Sequence, residues 1–238
     1  MLARAPRYIV QRAYNTNVAD KQVKAKLRSL LRETAQPVAV VTSLMHPTDK
    51  SPNNYHGATL SSFSSIAMDP YPLVAFSLRI PSRMAASLRG ALPEPPSDMV
   101  VNILSATQAS TAVLFSRPDL HPNPFQEVGY ILNSEGIPVL EGSLGALSCK
   151  LTTPPILLDD PGFSGRAFEK NLELETAEDE VSSSTASTSE LFIARVTNIE
   201  RLALDEVDAH DPRTMPLLYH RRNYSTCSPD NLLDYLKP

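Results

Sequence analysis

Twenty-one prolines interrupt a chain of 238 residues and limit the length of any regular element. A proline cannot donate to a strand ladder and it breaks a helix interior, so the chain must be built from short pieces. Between the prolines lie apolar runs rich in β-branched residues, of which Pro37–Leu44, Pro72–Arg79 and Asp98–Leu104 are the clearest. Such runs, bounded by turn residues, are typical of strands. The sequence therefore predicts a mainly β domain, an all-β barrel with peripheral helices.

The stretch before the second of these runs carries the strongest functional signal. Gly57–Ala67 combines small, hydroxyl and apolar residues, and we interpret it as one strand. The prolines of Asp69–Pro72 then force a corner before the next strand. Small polar side chains beside apolar ones suit a strand whose backbone approaches a flat, polar ligand. Taken alone, Ser61 and Ser62 are better explained as ordinary serines of an edge strand.

Helices are predicted near these strands, one of them starting at Ser105 and running to about Phe115. Residues 20–34 place Val23, Leu27, Leu30 and Leu31 on one face, which predicts an amphipathic helix that packs on the domain. A role at a membrane surface is the alternative. A further, short helix is predicted over Ser82–Arg89, with Ser82 as its N-cap and an end near Gly90.

Charge and cysteine content exclude several classes of function. Residues 1–32 carry eight basic groups and one acidic group, whereas the rest of the chain carries 14 basic and 25 acidic residues, a net charge of −11. An acidic body argues against nucleic-acid binding, which needs a basic face. No apolar run is long enough to span a membrane. Cys149 and Cys227 are expected to be free thiols, and no Cys/His cluster suits a metal.

The ends of the chain differ in composition from its centre. Residues 1–17 contain Arg4, Arg7 and Arg12 without an acid, which predicts a mitochondrial presequence and a matrix location. A merely basic start of the chain is the alternative. The domain is expected over residues 35–225, with an acidic and serine-rich insertion at about 165–189 and a tail at 226–238.

The order of the motifs resembles that of the flavin reductase-like domain family, which is built on the FMN-binding split β-barrel. The match covers roughly residues 35–224, and the chain is similar to a mitochondrial-type, fungal-like member. The motifs that carry it are the segments Val40–Ser43, Gly57–Phe63, Ser65–Pro72, Phe76–Leu78 with Ser82, Val101–Leu104 with Gln108 and Phe115, Gly136–Pro138, Leu147–Cys149 and Pro216–Tyr219 with Tyr224.

The resemblance implies a flavin site. In such proteins one strand lies along the isoalloxazine and the next leads to the ribityl chain and phosphate. The corresponding isoalloxazine residues are Thr59, Leu60, Ser61 and Ser62, and those at the phosphate end are Ser77, Leu78, Ser82 and Arg83. Ser82 would head a helix and Arg83 would add a charge-assisted bond to the phosphate. His56 could approach the flavin, although a solvated loop histidine explains it better.

The resemblance also implies the activity and its alternatives. FMN, with FAD as a possibility, would accept a hydride from NAD(P)H, no side chain need act as acid or base, and a homodimer is expected. Many relatives carry Gly-Asp-His before the penultimate strand, but Thr188–Phe192 stands there in this chain. The alternatives are therefore a non-catalytic FMN-binding module and a barrel that serves only as an assembly partner.

Overall fold

A computed structural model describes residues 21–45, 55–90, 97–158, 188–200 and 210–227. These ranges contain three α-helices: α1 over residues 21–32, α2 (Arg83–Arg89) and α3 (Ala109–Ser116). The strands are β1 (Gln36–Pro37), β2 (Ala39–Leu44), β3 (Tyr55–Leu60), β4 (Ser64–Ala67), β5 (Leu73–Ile80), β6 (Met99–Ile103), β7 (Tyr130–Leu132), β8 (Pro138–Leu140), β9 (Gly145–Leu151), β10 (Ile156–Leu157), β11 (Thr188–Glu200), β12 (Leu218–His220) and β13 (Asn223–Ser225). The mainly β class is confirmed.

The main sheet is curled because its two edge strands are neighbours in sequence. Its strand order is β3-β2-β6-β9-β11-β5-β4, with β10 pairing on β11. Only residues 61–63 connect β3 to β4, a link that spans at most about 14 Å. A flat sheet of seven strands would hold its edges about 29 Å apart. The sheet must therefore bend until its edges approach each other, which gives a half-barrel.

The inner face of this half-barrel holds the main hydrophobic core. Alternate residues of β5 and β11 face inward, so that Phe76 lies opposite Phe192 with their rings stacked and the centroids 5.4 Å apart. From α2, Met84 and Leu88 pack onto the same core. On the other side of the sheet, α3 contributes Phe115 to a second core with β2 and β8. The two cores hold α2 and α3 on either side of β3.

Buried polar groups in the sheet have partners that fix its register. Asn102 donates from Nδ2 to the Val40 carbonyl over 3.1 Å and accepts at Oδ1 from the Leu140 amide over 2.8 Å. Asp98 accepts from Lys150 Nζ over 2.7 Å and from the Leu151 amide over 2.8 Å. Because an unpaired buried charge is costly, these partners hold β6 tightly against β9.

The packing predicted for the amphipathic helix is wrong. Every residue of α1 is exposed, and the stripe of Val23, Leu27, Leu30 and Leu31 faces solvent. The described contacts between this part of the chain and the body lie at its C-terminal end, where Arg221 bonds to the Arg32 carbonyl and to Glu33. No helix in the described ranges is long and apolar enough to cross a membrane.

Several predicted element boundaries also change. The single strand expected over Gly57–Ala67 is two strands, because residues 61–63 turn from one sheet edge to the other. His56 is the second residue of β3 and is buried, so the interpretation as a solvated loop histidine is wrong. β11 begins at Thr188, inside the expected insertion. The rest of that insertion, the presequence and residues 228–238 of the tail lie outside the described residues.

Candidate functional site

A cavity of about 740 Å³ opens beside edge strand β3, between it and the end of β5. Its walls are formed by β3 and the link to β4, by the end of β5, by the start of α2 and by the segment that follows α3. Aromatic and proline side chains line one part, whereas hydroxyl and guanidinium groups line another. A cavity of this volume with a few converging polar groups is the usual form of a site for a small organic ligand.

All eight residues predicted to bind cofactor line this one cavity, although they come from three parts of the chain. They are Thr59, Leu60, Ser61, Ser62, Ser77, Leu78, Ser82 and Arg83. Thr59 and Leu60 end β3, whereas Ser61 and Ser62 lie in the link to β4 and not in a strand as predicted. Their role as flavin ligands stays a prediction.

Close packing fixes the cavity wall at the Gly57 end. A Cβ atom on Gly57 would lie 2.5 Å from Cε1 and 2.6 Å from Cδ1 of Phe115, so only glycine lets α3 approach β3 this closely. Two residues on, the Thr59 hydroxyl donates to the Ala112 carbonyl of α3 over 2.7 Å. The Thr59 proton is thus used within the protein, and a ligand there would meet the backbone and the remaining lone pair.

Ser62 ties the link between β3 and β4 to strand β5. Its hydroxyl accepts from the Ser77 amide over 2.9 Å and donates to the Ser77 carbonyl over 3.2 Å. One side chain therefore satisfies both backbone groups of a residue in the facing strand. This arrangement positions Ser61 and the end of β3 against β5, so the role of Ser62 includes shaping the cavity.

The opposite end of the cavity is polar and positively charged. Ser82 caps α2, as predicted, by accepting from the Ala85 amide over 3.0 Å. Arg79 and Arg83 flank this cap and line the cavity, and both are exposed. Neither forms an ion pair with any acid in the described part of the chain. Two available guanidinium groups suit a phosphate, which they bind through paired hydrogen bonds.

The wall after α3 was not predicted as part of the site. It contributes Ser116, Pro118, Asp119, His121, Pro122 and Pro124. Arg117 donates from Nε and Nη2 to the two Asp119 oxygens over 3.0 and 2.9 Å, and these bonds lower the pKa of Asp119 below its usual value. Three prolines in seven residues stiffen the segment. That spacing was the available signal, but it indicated a loop without indicating where the loop lies.

Two further residues, outside the predicted set of eight, line the cavity. His56 and Ser189 both line the cavity, the first from β3 and the second from β11, where it pairs with Arg79 of β5. The neighbour of Ser189, Glu190, points away into the core and pairs with Arg89 at 3.4 Å. Ser189 is therefore the residue of the Thr188–Phe192 segment that a bound ligand would meet.

The two cysteine thiols lie outside the cavity lining. Cys149 is buried in the main core, which raises the pKa of its thiol to about 12. Cys149 and the exposed Cys227 are both free, as predicted. Across the described ranges, no group of three or more His, Cys, Asp or Glu side chains could hold a metal ion.

Comparison with known proteins gives the family. A family model described as flavin reductase like domain matches residues 31–228, most of the chain. The chain belongs to this family. Flavin reductase-like membership accounts for the mainly β half-barrel and confirms the resemblance found in the sequence.

Characterised relatives of this flavin reductase-like chain share about a third of the aligned residues. An NADPH-flavin oxidoreductase of Streptomyces viridifaciens is 31% identical over 138 residues, which is 56% of this chain and 64% of the relative. The FMN reductase (NADH) SmoA of Agrobacterium fabrum is 30% identical over 112 residues, 47% of this chain and 59% of the relative. The chain thus spans less than two thirds of each.

A solved structure supports the fold over a longer range. The NADH:FAD oxidoreductase SgcE6 of Streptomyces globisporus C-1027, in complex with NAD and FAD fragments, has a TM-score of 0.56 and 20% sequence identity. The similarity covers 87% of this chain and 94% of that chain. The similarity shows that the two chains share the fold.

Proposed function

We propose that this protein is an oxidoreductase of flavin reductase type, which binds FMN and passes a hydride to it from NAD(P)H. The observation that carries the proposal is the convergence of the eight predicted residues on one cavity of about 740 Å³. The names of the relatives, an NADPH-flavin oxidoreductase and an FMN reductase (NADH), support the reaction class.

The residues of the cavity fit a flavin mononucleotide. The isoalloxazine would lie along Leu60 and Ser61, where the end of β3 and its link offer backbone groups without blocking side chains. The ribityl chain would follow Ser77 towards Ser82, and the phosphate would meet Arg79 and Arg83. FAD is the second possibility, since a structural relative was solved with FAD fragments.

When bound, the flavin supplies the hydride acceptor, and the protein supplies position and surroundings. Gly57 and Phe115 define the width of the cavity at one end, and Ser62 holds the link against β5. We assign no side chain as general acid or base. Catalysis here would rest on holding two flat rings at reacting distance.

A second function is favoured by one observation. Ser189, a short neutral side chain, lines the cavity in the Thr188–Phe192 segment, where the resemblance to the family implies a histidine. A site without that histidine suits a non-catalytic FMN-binding module, in which the flavin is a structural or sensing ligand.

Anaerobic titration of the FMN-loaded protein separates these functions. We expect NADH or NADPH to bleach the flavin absorbance bands. Bands that persist with both donors would favour the non-catalytic module, and a colourless protein that takes up no FMN would contradict both. Replacing Ser61 and Ser62 by leucine should abolish flavin uptake. Leucines at Ser64 and Ser65, exposed on β4 and outside the cavity lining, are the matched control.

We further propose a homodimer in the mitochondrial matrix, as for a mitochondrial-type, fungal-like member of the family. The basic, acid-free segment 1–17 supports the location, and the resemblance supports the dimer. Fusing residues 1–17 to a fluorescent protein should direct it to mitochondria. Replacing Arg4, Arg7 and Arg12 by glutamine should leave it in the cytosol, and an unchanged distribution would contradict the presequence.

A further inference from the structure

Among the described residues that line the cavity, Asp119 is the one acid. It lies on the segment that follows α3, in a bidentate pair with Arg117. Asp119 lines the cavity, whereas Arg117 does not. A ligand inside the cavity would therefore meet the negatively charged member of this pair.

Hydrogen bonds hold Asp119 in one position on the cavity wall. The Arg117 carbonyl accepts from the Leu120 amide over 3.0 Å and from the His121 amide over 2.9 Å, which closes a turn around Asp119. Further along the segment, buried Phe125 packs against an aromatic ring of α3 with the ring centroids 5.0 Å apart. The carboxylate is therefore carried by a fixed turn. The hydrogen bonds from Arg117 lower its pKa, so that it stays ionised at neutral pH.

The flavin proposed above accounts for only part of the cavity lining. Its ring and phosphate would use β3, the link to β4, the end of β5 and the start of α2, which leaves the segment after α3. The hydride donor has to reach the flavin through this same cavity, because the two rings must come within reacting distance. We therefore expect the donor to use the wall that carries Asp119.

The two nicotinamide donors differ in the one group that a carboxylate distinguishes. NADH has a hydroxyl at the 2′ position of its adenosine ribose, and NADPH has a phosphate there. An ionised carboxylate accepts a hydrogen bond from a hydroxyl, whereas it repels a phosphate. Arg117 would attract that phosphate, but two of its donors are occupied by Asp119 and it lies outside the cavity lining. The described wall thus favours NADH.

We propose that Asp119 selects NADH over NADPH by accepting a hydrogen bond from the 2′-hydroxyl of the adenosine ribose. The inference rests on the reductase function proposed above, and it names the donor of that reaction. The Asp119 side chain is 61% exposed, so water screens the interaction and the preference is moderate, about tenfold. Asp119 takes no part in the hydride transfer itself and determines only which donor binds.

Calorimetric titration of the FMN-loaded protein with NAD⁺ and NADP⁺ tests the selection without any turnover. The wild type should bind NAD⁺ about ten times more tightly than NADP⁺. Asp119→Asn should weaken NAD⁺ binding and strengthen NADP⁺ binding by roughly threefold each, so that the preference disappears. Arg117→Gln, which leaves the carboxylate without its counter-charge, should instead weaken NADP⁺ binding. Asp211→Asn is the matched control, because Asp211 forms the same kind of bidentate pair with Arg213 but lies outside the cavity lining.

Anaerobic reduction of the flavin by NADH and by NADPH gives an independent measurement, and the ratio of the two rate constants should show the same changes. A ratio that Asp119→Asn leaves unchanged overturns the selection. A wild type that reacts equally with both donors, or faster with NADPH, also overturns it but leaves the reductase function standing. A changed Kd for FMN with an unchanged ratio would place Asp119 at the flavin and overturn the selection. If neither nucleotide binds and neither donor bleaches the flavin, the proposed function fails as well.

Discussion

At its Gly57 end the cavity is walled by close packing between β3 and α3, whereas at its Ser82 end β5 and α2 present hydroxyl and guanidinium groups. The packed end leaves no space for a single added carbon. The polar end keeps Arg79 and Arg83 available for a ligand. The shape of the cavity and its attraction for a charged ligand are set by separate elements. Each can therefore be changed without the other.

The largest effect is expected at the packed end. Gly57→Val places atoms within 2.6 Å of the Phe115 ring, and the overpacking should cost about 3 kcal/mol of the free energy of unfolding. For a chain of this size, Tm should fall by about 6–12 °C in calorimetry. Gly145→Ala is the matched control, because its Cβ would lie 3.9 Å from the nearest atom. Equal Tm values for the two variants would show that close packing does not define the Gly57 end of the cavity.

The next largest effect is expected at the charged end of the cavity, where ligand affinity should change while the free energy of unfolding stays the same. Arg79→Ala with Arg83→Ala should raise the Kd for FMN about 100-fold, roughly tenfold for each lost charge-assisted hydrogen bond. Riboflavin, which lacks the phosphate, should bind both proteins equally. Fluorescence titration measures both ligands, and Arg213→Ala serves as a distant control. An equal loss of riboflavin affinity would mean that these arginines shape the cavity instead of binding phosphate.

A smaller effect is expected where the link joins the two ends. Ser62→Ala removes both hydrogen bonds to the Ser77 backbone, which should cost about 1 kcal/mol in chemical denaturation. Because the link then loses its hold on β5, FMN affinity should fall several-fold as well. Ser64→Ala is the control, since that hydroxyl bonds only to the adjacent Ser65 carbonyl. Unchanged FMN affinity would show that the link of residues 61–63 does not shape the ligand site.

The smallest effect is expected from Thr59. Thr59→Val removes the 2.7 Å bond to the Ala112 carbonyl and should cost roughly 0.5 kcal/mol, because the packing of Gly57 against Phe115 still holds α3. Thr59→Ser keeps the hydroxyl and should match the wild type. If Thr59→Val lowers the free energy of unfolding as much as Gly57→Val does, hydrogen bonding and not packing fixes the Gly57 end of the cavity.

Local patterns were enough to predict many of the elements. Ser82 before a short helical pattern and Gly90 after it correctly predicted both ends of α2. The β-branched run after Pro37 predicted β2, and the motif order brought eight residues from three segments to one cavity. In these cases the information lies within a few neighbouring residues, or in the order of motifs along the chain.

What the sequence could not supply depends on distant contacts. Residues 61–63 have the composition of a strand, and only the positions of β3 and β4 at opposite edges show that they must turn. His56 lies on the face of β3 opposite to the one that Gly57 and Thr59 turn towards α3, and that face is covered by α2 from a later part of the chain. The α1 stripe has the pattern of a packed helix, but a pattern does not say which surface covers it.

The strand order also determines how late in synthesis the sheet around the ligand site is completed. β11 is the strand that joins β9 to β5, and without it the sheet divides into β3-β2-β6-β9 and β5-β4. The cavity has β3 on one side and β5 on the other, so its walls belong to different halves. Before residues 188–200 have left the ribosome, the two halves of the sheet that carry the cavity walls are therefore not yet joined through β11. Until then, both halves have open edges that invite wrong pairing, and a chaperone that binds strand edges has most to protect in that interval.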